Sequence, residues 1–366
     1  MSRRPASLAT LLAWVAVAVI AYASLYPFEG WHEAQWSPRE WLFSPWPKYW
    51  SGFDLWANWL GYMPLGGLWA VAALRRRRGS WWTVGMATAQ ASALSLAMES
   101  IQGFMVHRVS SNLDWGLNTL GAFTGAIVVW WWLSPPRMHR WDRIRGHWLS
   151  TDGGVELTLL LLWVLALLVP TALPFSVGRW APAALDTLHQ LIQSWPWGAA
   201  VPWVGLPWVL DPMQESGVVA LTLVTPMAVA ALTVRGRLNR ALACCVVLAL
   251  ALLVPMVQAV VAHGWSLAGA WLLPTLPLGF ALAALGGLLL VALPRRALTG
   301  LALLLLLVQT VVVNLYATTA YWDVNWQQFG QSRFVRMYGV LGWVAVAWPW
   351  LALVLLSRRL FVPQRA

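Results

Sequence analysis

The sequence predicts an all-α, polytopic integral membrane protein with about ten transmembrane helices and both termini in the cytoplasm. Three observations carry that expectation. Hydrophobic residues make up 60% of the 366 residues and charged residues only 10%, against roughly 25% charged in an ordinary soluble domain. The apolar residues gather into ten stretches, each close to the roughly 20 residues that a helix needs to cross the hydrocarbon. The basic residues, finally, alternate in density from one connecting loop to the next.

The ten stretches cover residues 7–26, 54–74, 81–106, 113–133, 155–174, 216–234, 241–262, 267–293, 297–320 and 337–357. The first is too long for the apolar core of a secretory signal, and Ser24-Leu-Tyr-Pro-Phe28 is not a small-residue cleavage site, so it is expected to be retained. The second and fourth each open on an aspartate. The third carries Glu99 and Gln102 in its final part, ahead of His107 and Arg108. The remaining six are dominated by Leu, Val and Ala. Between the spans, two long segments, 28–53 and 175–215, are crowded with Trp and Pro. Indole rings favour the headgroup level, and a helix lying along the interface is expected around Ala183 to Ser194.

A net charge of +11 could suggest nucleic acid, but the basic residues form neither a single face nor a tail, and no nucleic-acid partner is expected. Their distribution is topological. With the N-terminus inside, alternate loops collect Arg3 and Arg4, Arg75 to Arg78, Arg137, Arg140, Arg143 and Arg145, then Arg235, Arg237 and Arg240, Arg295 and Arg296, and Arg358, Arg359 and Arg365. Eighteen of the 24 Lys and Arg residues thus fall on one side, leaving Arg39, Lys48, Arg108, Arg179, Arg333 and Arg336 on the other. Such a bias marks the richer side as cytoplasmic.

The basic, helix-breaking stretch from Ser134-Pro-Pro-Arg137 to Gly154 divides the chain. Residues 1–136 form an expected four-helix module, 137–154 a cytoplasmic linker and 155–366 a six-helix module. Ala172-Leu-Pro-Phe175 closes the fifth stretch much as Leu25-Tyr-Pro-Phe28 closes the first, which hints at an older duplication. Cys244 and Cys245 are adjacent, a spacing at which an unstrained disulfide seldom forms.

Nearly all the intramembrane polarity belongs to the first module. Asp54-x3-Asn58-x2-Gly61 and Asp114-x3-Asn118-x2-Gly121 repeat one signature at the heads of two helices of the same direction. On a helix, residues four apart share a face, so a carboxylate and an amide align twice, with a glycine one turn deeper. Gly121-x3-Gly125 and Gly66-Gly67 supply small residues for close helix packing. Capping of the helix N-termini would account for the aspartates but not for the asparagines. Glu99 is expected about two turns from the outer end of its helix, with Gln102 on the same face and Arg108 as the basic residue able to turn back to it. Acidic side chains inside a membrane are costly and mark sites by default. Glu99, Asp54 and Asp114 are therefore the candidate catalytic carboxylates, and Asn58, Gln102, Arg108 and Asn118 the candidate substrate-binding groups. His107, and Asp323, Asn325, Arg333 and Arg336 in the last outer loop, read as incidental or solvated groups. The chain has no Walker, H-E-x-x-H, G-x-S-x-G or C-x-x-C motif, and no cofactor or metal is expected.

At these residues the chain resembles the VanZ-like family of membrane proteins, named after a teicoplanin-resistance factor. The resemblance rests on Ser24-Leu-Tyr-Pro-Phe28, Asp54-x3-Asn58-x2-Gly61-Tyr-Met-Pro-Leu-Gly66, Glu99-Ser-Ile-Gln102, Arg108 and Asp114-x3-Asn118-x2-Gly121, over about residues 8–133. It implies a bacterial envelope setting, at the inner membrane, without specifying a reaction. The expected function is recognition, with or without modification, of an envelope lipid or glycan at the outer leaflet, with glycopeptide susceptibility as a cellular consequence. A proton-coupled transporter using Glu99 and a non-catalytic scaffold for envelope assembly stay open as alternatives.

The topology can be checked directly. In a Cys244→Ser, Cys245→Ser background, a single cysteine at Ser37 should react with an impermeant thiol reagent on intact spheroplasts and one at Gly79 should not. The reverse pattern would place the acidic signatures on the cytoplasmic side.

Overall fold

The computed structural model describes residues 8–26, 28–33, 38–47, 50, 52–74, 81–106, 108–133, 148–150, 153–202, 206, 208–265, 269, 271–317 and 335–361. His107, Asp323, Asn325, Arg333, the Arg75–Arg78 run and most of the 137–154 linker lie outside them. Within the described residues the protein is all-α, with isolated β-bridges in place of strands. It forms two compact units, Met1–Ile144 and Arg145–Ala366.

The first unit contains α1 (Leu8–Leu25), the short α2 (Pro38–Leu42), α3 (Gly52–Leu74), α4 (Trp81–Gln102) and α5 (Asn112–Trp132). The second contains α6 (Gly153–Ala166), α7 (Ala181–Gln193), a 3-10 turn at Gly198–Ala200, α8 (Pro212–Thr233), α9 (Arg237–His263), α10 (Leu276–Ala292), α11 (Arg295–Val312) and α12 (Val335–Phe361). Helices occupy each of the ten apolar stretches. By length and composition four of those described could cross a membrane: Pro212–Thr233, Arg237–Val260, Arg295–Val312 and Gly339–Arg359. Helices α3, α4 and α5 are as long, at 23, 22 and 21 residues, but carry more Gly, Ser, Thr and acidic or amide residues.

Four of the expected stretches are shorter as helices, the third ending at Gln102 rather than 106 and the ninth at Val312 rather than 320. The fifth ends at Ala166, not at 174, because Pro170 and Pro174 disfavour helical backbone at the residues before them. The eighth begins at Leu276 rather than 267, just after Pro274. The interfacial helix expected near 183–194 exists as α7, an amphipathic segment none of whose residues is buried.

In the first unit the central contact is α3 against α5, with α4 packed on α5 and α1 on α3 and α4. Glycines set the α3–α5 spacing. A Cβ at Gly121 would run into the Trp59 carbonyl, one at Gly125 into the Met63 carbonyl, and one at Gly66 into the Ala122 backbone. The G-x3-G of α5 therefore seats on the i and i+4 carbonyls of α3, the close approach that small residues permit. Gly61 departs from the expected symmetry: it is exposed and nothing lies within 4 Å of where its Cβ would be. The glycine of the first signature does not do what Gly121 does, because the packing stripe of α3 has moved on to Gly66 and Gly67.

The second unit is built round α8, which is buried on nearly all sides and contacts α6, α9, α10 and α11. A helix apolar on every face belongs in such a position. Trp348 of α12 donates from Nε1 to the Leu159 carbonyl of α6 at 2.6 Å, and Glu156 of α6, fully buried, is ion-paired with Arg359 at 2.5 Å. Cys244 and Cys245 are free thiols.

Gly121→Ala and Gly125→Ala should each lower stability by about 1–3 kcal/mol, the usual cost of overpacking. Gly61→Ala should instead be neutral or stabilising by up to about 1 kcal/mol, from helix propensity. Thermal-shift measurements in detergent on the three variants test this, and equal losses in all three would contradict the asymmetric packing.

Candidate functional site

The end of the first unit where α1 and α4 finish and α3 and α5 begin holds a cavity of ≈ 600 Å³. Its walls come from the segment after α2, the first turn of α3 and the connection between α4 and α5. Asp54, Arg108 and Asp114 line it, joined by Glu40, Trp41, Trp50, Ser110, Ser111 and Asn112, which sequence reasoning did not single out. Their signal is faint in the sequence because they lie in or beside the short α2 of a segment rich in Trp and Pro, or at the serine-rich start of α5.

The connection from α4 to α5 is ordered by the α4 terminus itself. Helix α4 stops at Gln102, so Glu99 lies in its last turn, not two turns inside. Its main-chain carbonyl, freed by the helix end, accepts from Ser110 Oγ at 2.6 Å and from the Gly103 N–H at 3.3 Å. Its carboxylate, 4% exposed, accepts from the Ser111 N–H at 2.8 Å. Ser111 is also the N-cap of α5, its hydroxyl accepting from the Asp114 N–H at 3.2 Å. One serine thus holds a buried carboxylate and starts a helix.

This assigns the cap to Ser111 rather than to Asp114, which sits three residues later in the first turn of α5. Asp54 occupies the matching first turn of α3. The Asp114 carboxylate is hydrogen-bonded by the side chains of Asn58 and Ser111 and feels the charge of Asp54 across the cavity. Asn58 is therefore a partner of Asp114 across the α3–α5 contact, not simply a neighbour of Asp54 on its own helix.

The other candidate residues are placed differently from one another. Gln102 donates from Nε2 to the Ser24 carbonyl at 2.9 Å. Arg108 donates from Nη2 to the carbonyls of Ala23 at 3.2 Å and Tyr26 at 3.0 Å. Both close the C-terminal end of α1, where carbonyls lack intrahelical partners and the helix dipole favours a cation. Arg108 acts on Glu99 through space, but its Nη2 is committed to α1. Asn118 is buried one turn below the cavity and donates from Nδ2 to Ser95 Oγ at 2.9 Å. With Thr119 Oγ1 to Ser92 Oγ at 2.9 Å and Trp115 Nε1 to the Ser92 carbonyl at 3.3 Å, it forms a polar seam between α4 and α5.

An antiparallel bridge between Trp31 and Met105 ties the segment after α1 to the segment after α4, with the His32 N–H on the Phe104 carbonyl and the Val106 N–H on the Gly30 carbonyl, both at 2.9 Å. Asn112 ties the wall after α2 to α5, donating from Nδ2 to the Ser44 carbonyl at 2.7 Å.

The segment that builds this cavity, from α1 to the end of α5, has a counterpart among known families. Residues 8–133 match the VanZ/LLP1 family model. No curated protein and no solved structure matches the chain. The VanZ-like segment thus contains all seven candidate residues and every wall of the cavity, while α6 to α12 lie beyond it. Together with the apolar helices this makes the chain a membrane protein with a VanZ-like segment at residues 8–133.

Ser111→Ala removes the cap and should cost about 0.5–2 kcal/mol, whereas Ser111→Asn, an equally good cap, should cost little. Chemical or thermal unfolding of the two variants checks this. Equal destabilisation would mean that Ser111 matters through its size, not as a cap.

Proposed function

We propose that the chain is a multi-pass protein of a bacterial cytoplasmic membrane, with ten spans and both termini inside. Its VanZ-like segment uses the cavity at the heads of α3 and α5 to recognise a hydroxyl-bearing envelope group, a lipid headgroup or lipid-linked glycan, at the outer leaflet. The observation that carries this reading is the cavity itself. At ≈ 600 Å³ it falls in the range of small-molecule sites, roughly 300–1,000 Å³, and it sets Asp54 and Asp114 opposite one another beside Arg108. Two carboxylates accept hydrogen bonds from ligand hydroxyls, the guanidinium donates one, and Trp41 and Trp50 offer apolar ring faces. The 18 to 6 distribution of basic residues supports an outward orientation for this end of the unit.

Glu99 stands just behind the Ser110–Ser111 wall and is the group suited to general acid or base work if the bound group is also modified. Sequestration or modification of an envelope precursor at this site would alter glycopeptide susceptibility.

Purified protein in nanodiscs, probed by native mass spectrometry with total envelope lipid, tests the proposal, alongside a lipidomic comparison of deletion and Glu99→Gln cells. Asp54→Asn and Asp114→Asn should leave folded protein but weaken ligand retention about 10- to 100-fold, the equivalent of one charge-assisted hydrogen bond of about 1.5–3 kcal/mol. Unchanged retention in both variants would return the two aspartates to a purely structural role.

A further inference from the structure

We infer that Tyr62, Ser95 and Asn118 form an internal binding site for a water molecule within the α3–α4–α5 bundle, through which Tyr62 acts as a positioning residue for Glu99. The three residues come from three helices and are all at least nine-tenths buried: Tyr62 of α3 and Asn118 of α5 at 5% exposure, Ser95 of α4 at 0%. Asn118 Nδ2 donates to Ser95 Oγ at 2.9 Å. That leaves Asn118 Oδ1 and the Tyr62 hydroxyl, both buried and both without a hydrogen-bond partner. Turning the amide over exchanges only which end is left, since a carboxamide has both a donor and an acceptor end.

A lone buried donor and a lone buried acceptor beside one shared hydroxyl are costly when unmatched. Ser95 is close enough to the Tyr62 hydroxyl to interact with it, though without the distance and angle of a direct hydrogen bond, and Glu99 lies within reach of its charge; the two stand one turn apart on α4, on the same side of the helix. A single water satisfies this set. It accepts from the Tyr62 O–H and donates to Asn118 Oδ1, which leaves one hydrogen for the Glu99 carboxyl. Three bonds are the usual complement of a buried water in a protein interior. Glu99 is then held from two directions, by the Ser111 N–H on the cavity side and by the hydrated Tyr62–Ser95–Asn118 group on the interior side. None of Tyr62, Ser95 or the water reaches the cavity, so the site acts on the carboxyl and not on the ligand.

Infrared difference spectroscopy on ligand-free protein in nanodiscs reads this directly. The Glu99 carboxyl or carboxylate band is assigned by its loss in Glu99→Gln, and internal water by its shift in H2(18)O. The wild type should show an (18)O-sensitive O–H band that is lost in Tyr62→Phe and in Asn118→Leu. The Glu99 band should move in Tyr62→Phe, and Tm should fall. Should Asn118→Leu fail to fold, Tyr62→Phe, which removes one oxygen, carries the test alone. An (18)O-sensitive band that survives Tyr62→Phe, a Glu99 band that stays in place, or a raised Tm would each overturn the inference, the last because deleting a truly orphaned hydroxyl is stabilising. Because no ligand is present, this result stands apart from the glycan or lipid retention measured above.

Discussion

The backbone contact between α3 and α5 fixes the geometry on which the first unit depends. Gly121 and Gly125 rest on the Trp59 and Met63 carbonyls, and Gly66 on Ala122. No side chain separates the helices there, so the spacing of their N-terminal turns is set by main chain. Asp54 and Asp114 occupy those turns, and their mutual repulsion is sustained by packing further down the same pair of helices. A site that opposes two carboxylates needs such an anchor, because nothing in the carboxylates themselves holds them together. Asn58 reaching across to Asp114 offsets part of that repulsion where the contact begins to open.

A second constraint acts through helix ends. Four helix termini converge at the cavity, and each leaves main-chain groups without intrahelical partners. The chain answers with side chains that serve two elements at once. Ser111 caps α5 and binds Glu99, Ser110 closes α4, and Gln102 and Arg108 close α1. The polar residues that look wasteful in an apolar sequence are therefore largely the fastenings of a compact end. Asp54 and Asp114 are set apart from these fastenings because they project into the space that the fastenings enclose.

The all-α class was legible from composition and periodicity, since both depend on the local chain alone. So was the convergence of Asp54, Asp114, Glu99 and Arg108, because polar groups in a lipid-like sequence have few places to go. Partnerships were not legible. Glu99 looked to Arg108 as the nearest opposite charge, yet a serine N–H twelve residues away holds it, since the early end of α4 turns the chain back at Gly103. The apparent equivalence of Gly61 and Gly121 failed for a related reason: spacing along a helix fixes which residues share a face but not which face meets a neighbour. Glu40, Trp41 and Asn112 were hidden because a five-residue helix and the first residue of α5 acquire a common wall only when the connection between them folds.

The same device recurs in the second unit, described by itself. Phe28 follows the end of α1 and Phe175 the end of α6, each directly after a proline, and among the described residues they are the non-glycine positions with positive φ, at 65° and 67°. A bulky residue in that region is strained and persists only where its surroundings hold it. Phe28 stacks edge-on with Tyr22, and Phe175 with Trp271 and Phe280. In each unit an arginine from a loop also donates to carbonyls at the end of a helix: Arg108 to those of Ala23 and Tyr26, and Arg179 to those of Val313 and Tyr316. Helix α8 carries Pro226 inside it as α3 carries Pro64, and both face a glycine-bearing helix, α10 and α5. Where α3 and α5 begin with aspartates, however, the Ser216 hydroxyl of α8 donates to the Thr275 carbonyl before α10 at 3.1 Å. The acids at that end, Asp211 and Glu215, both belong to α8, Asp211 as its N-cap and Glu215 beside Thr275, so the second unit meets the same architectural demand without setting the carboxylates of two helices against one another.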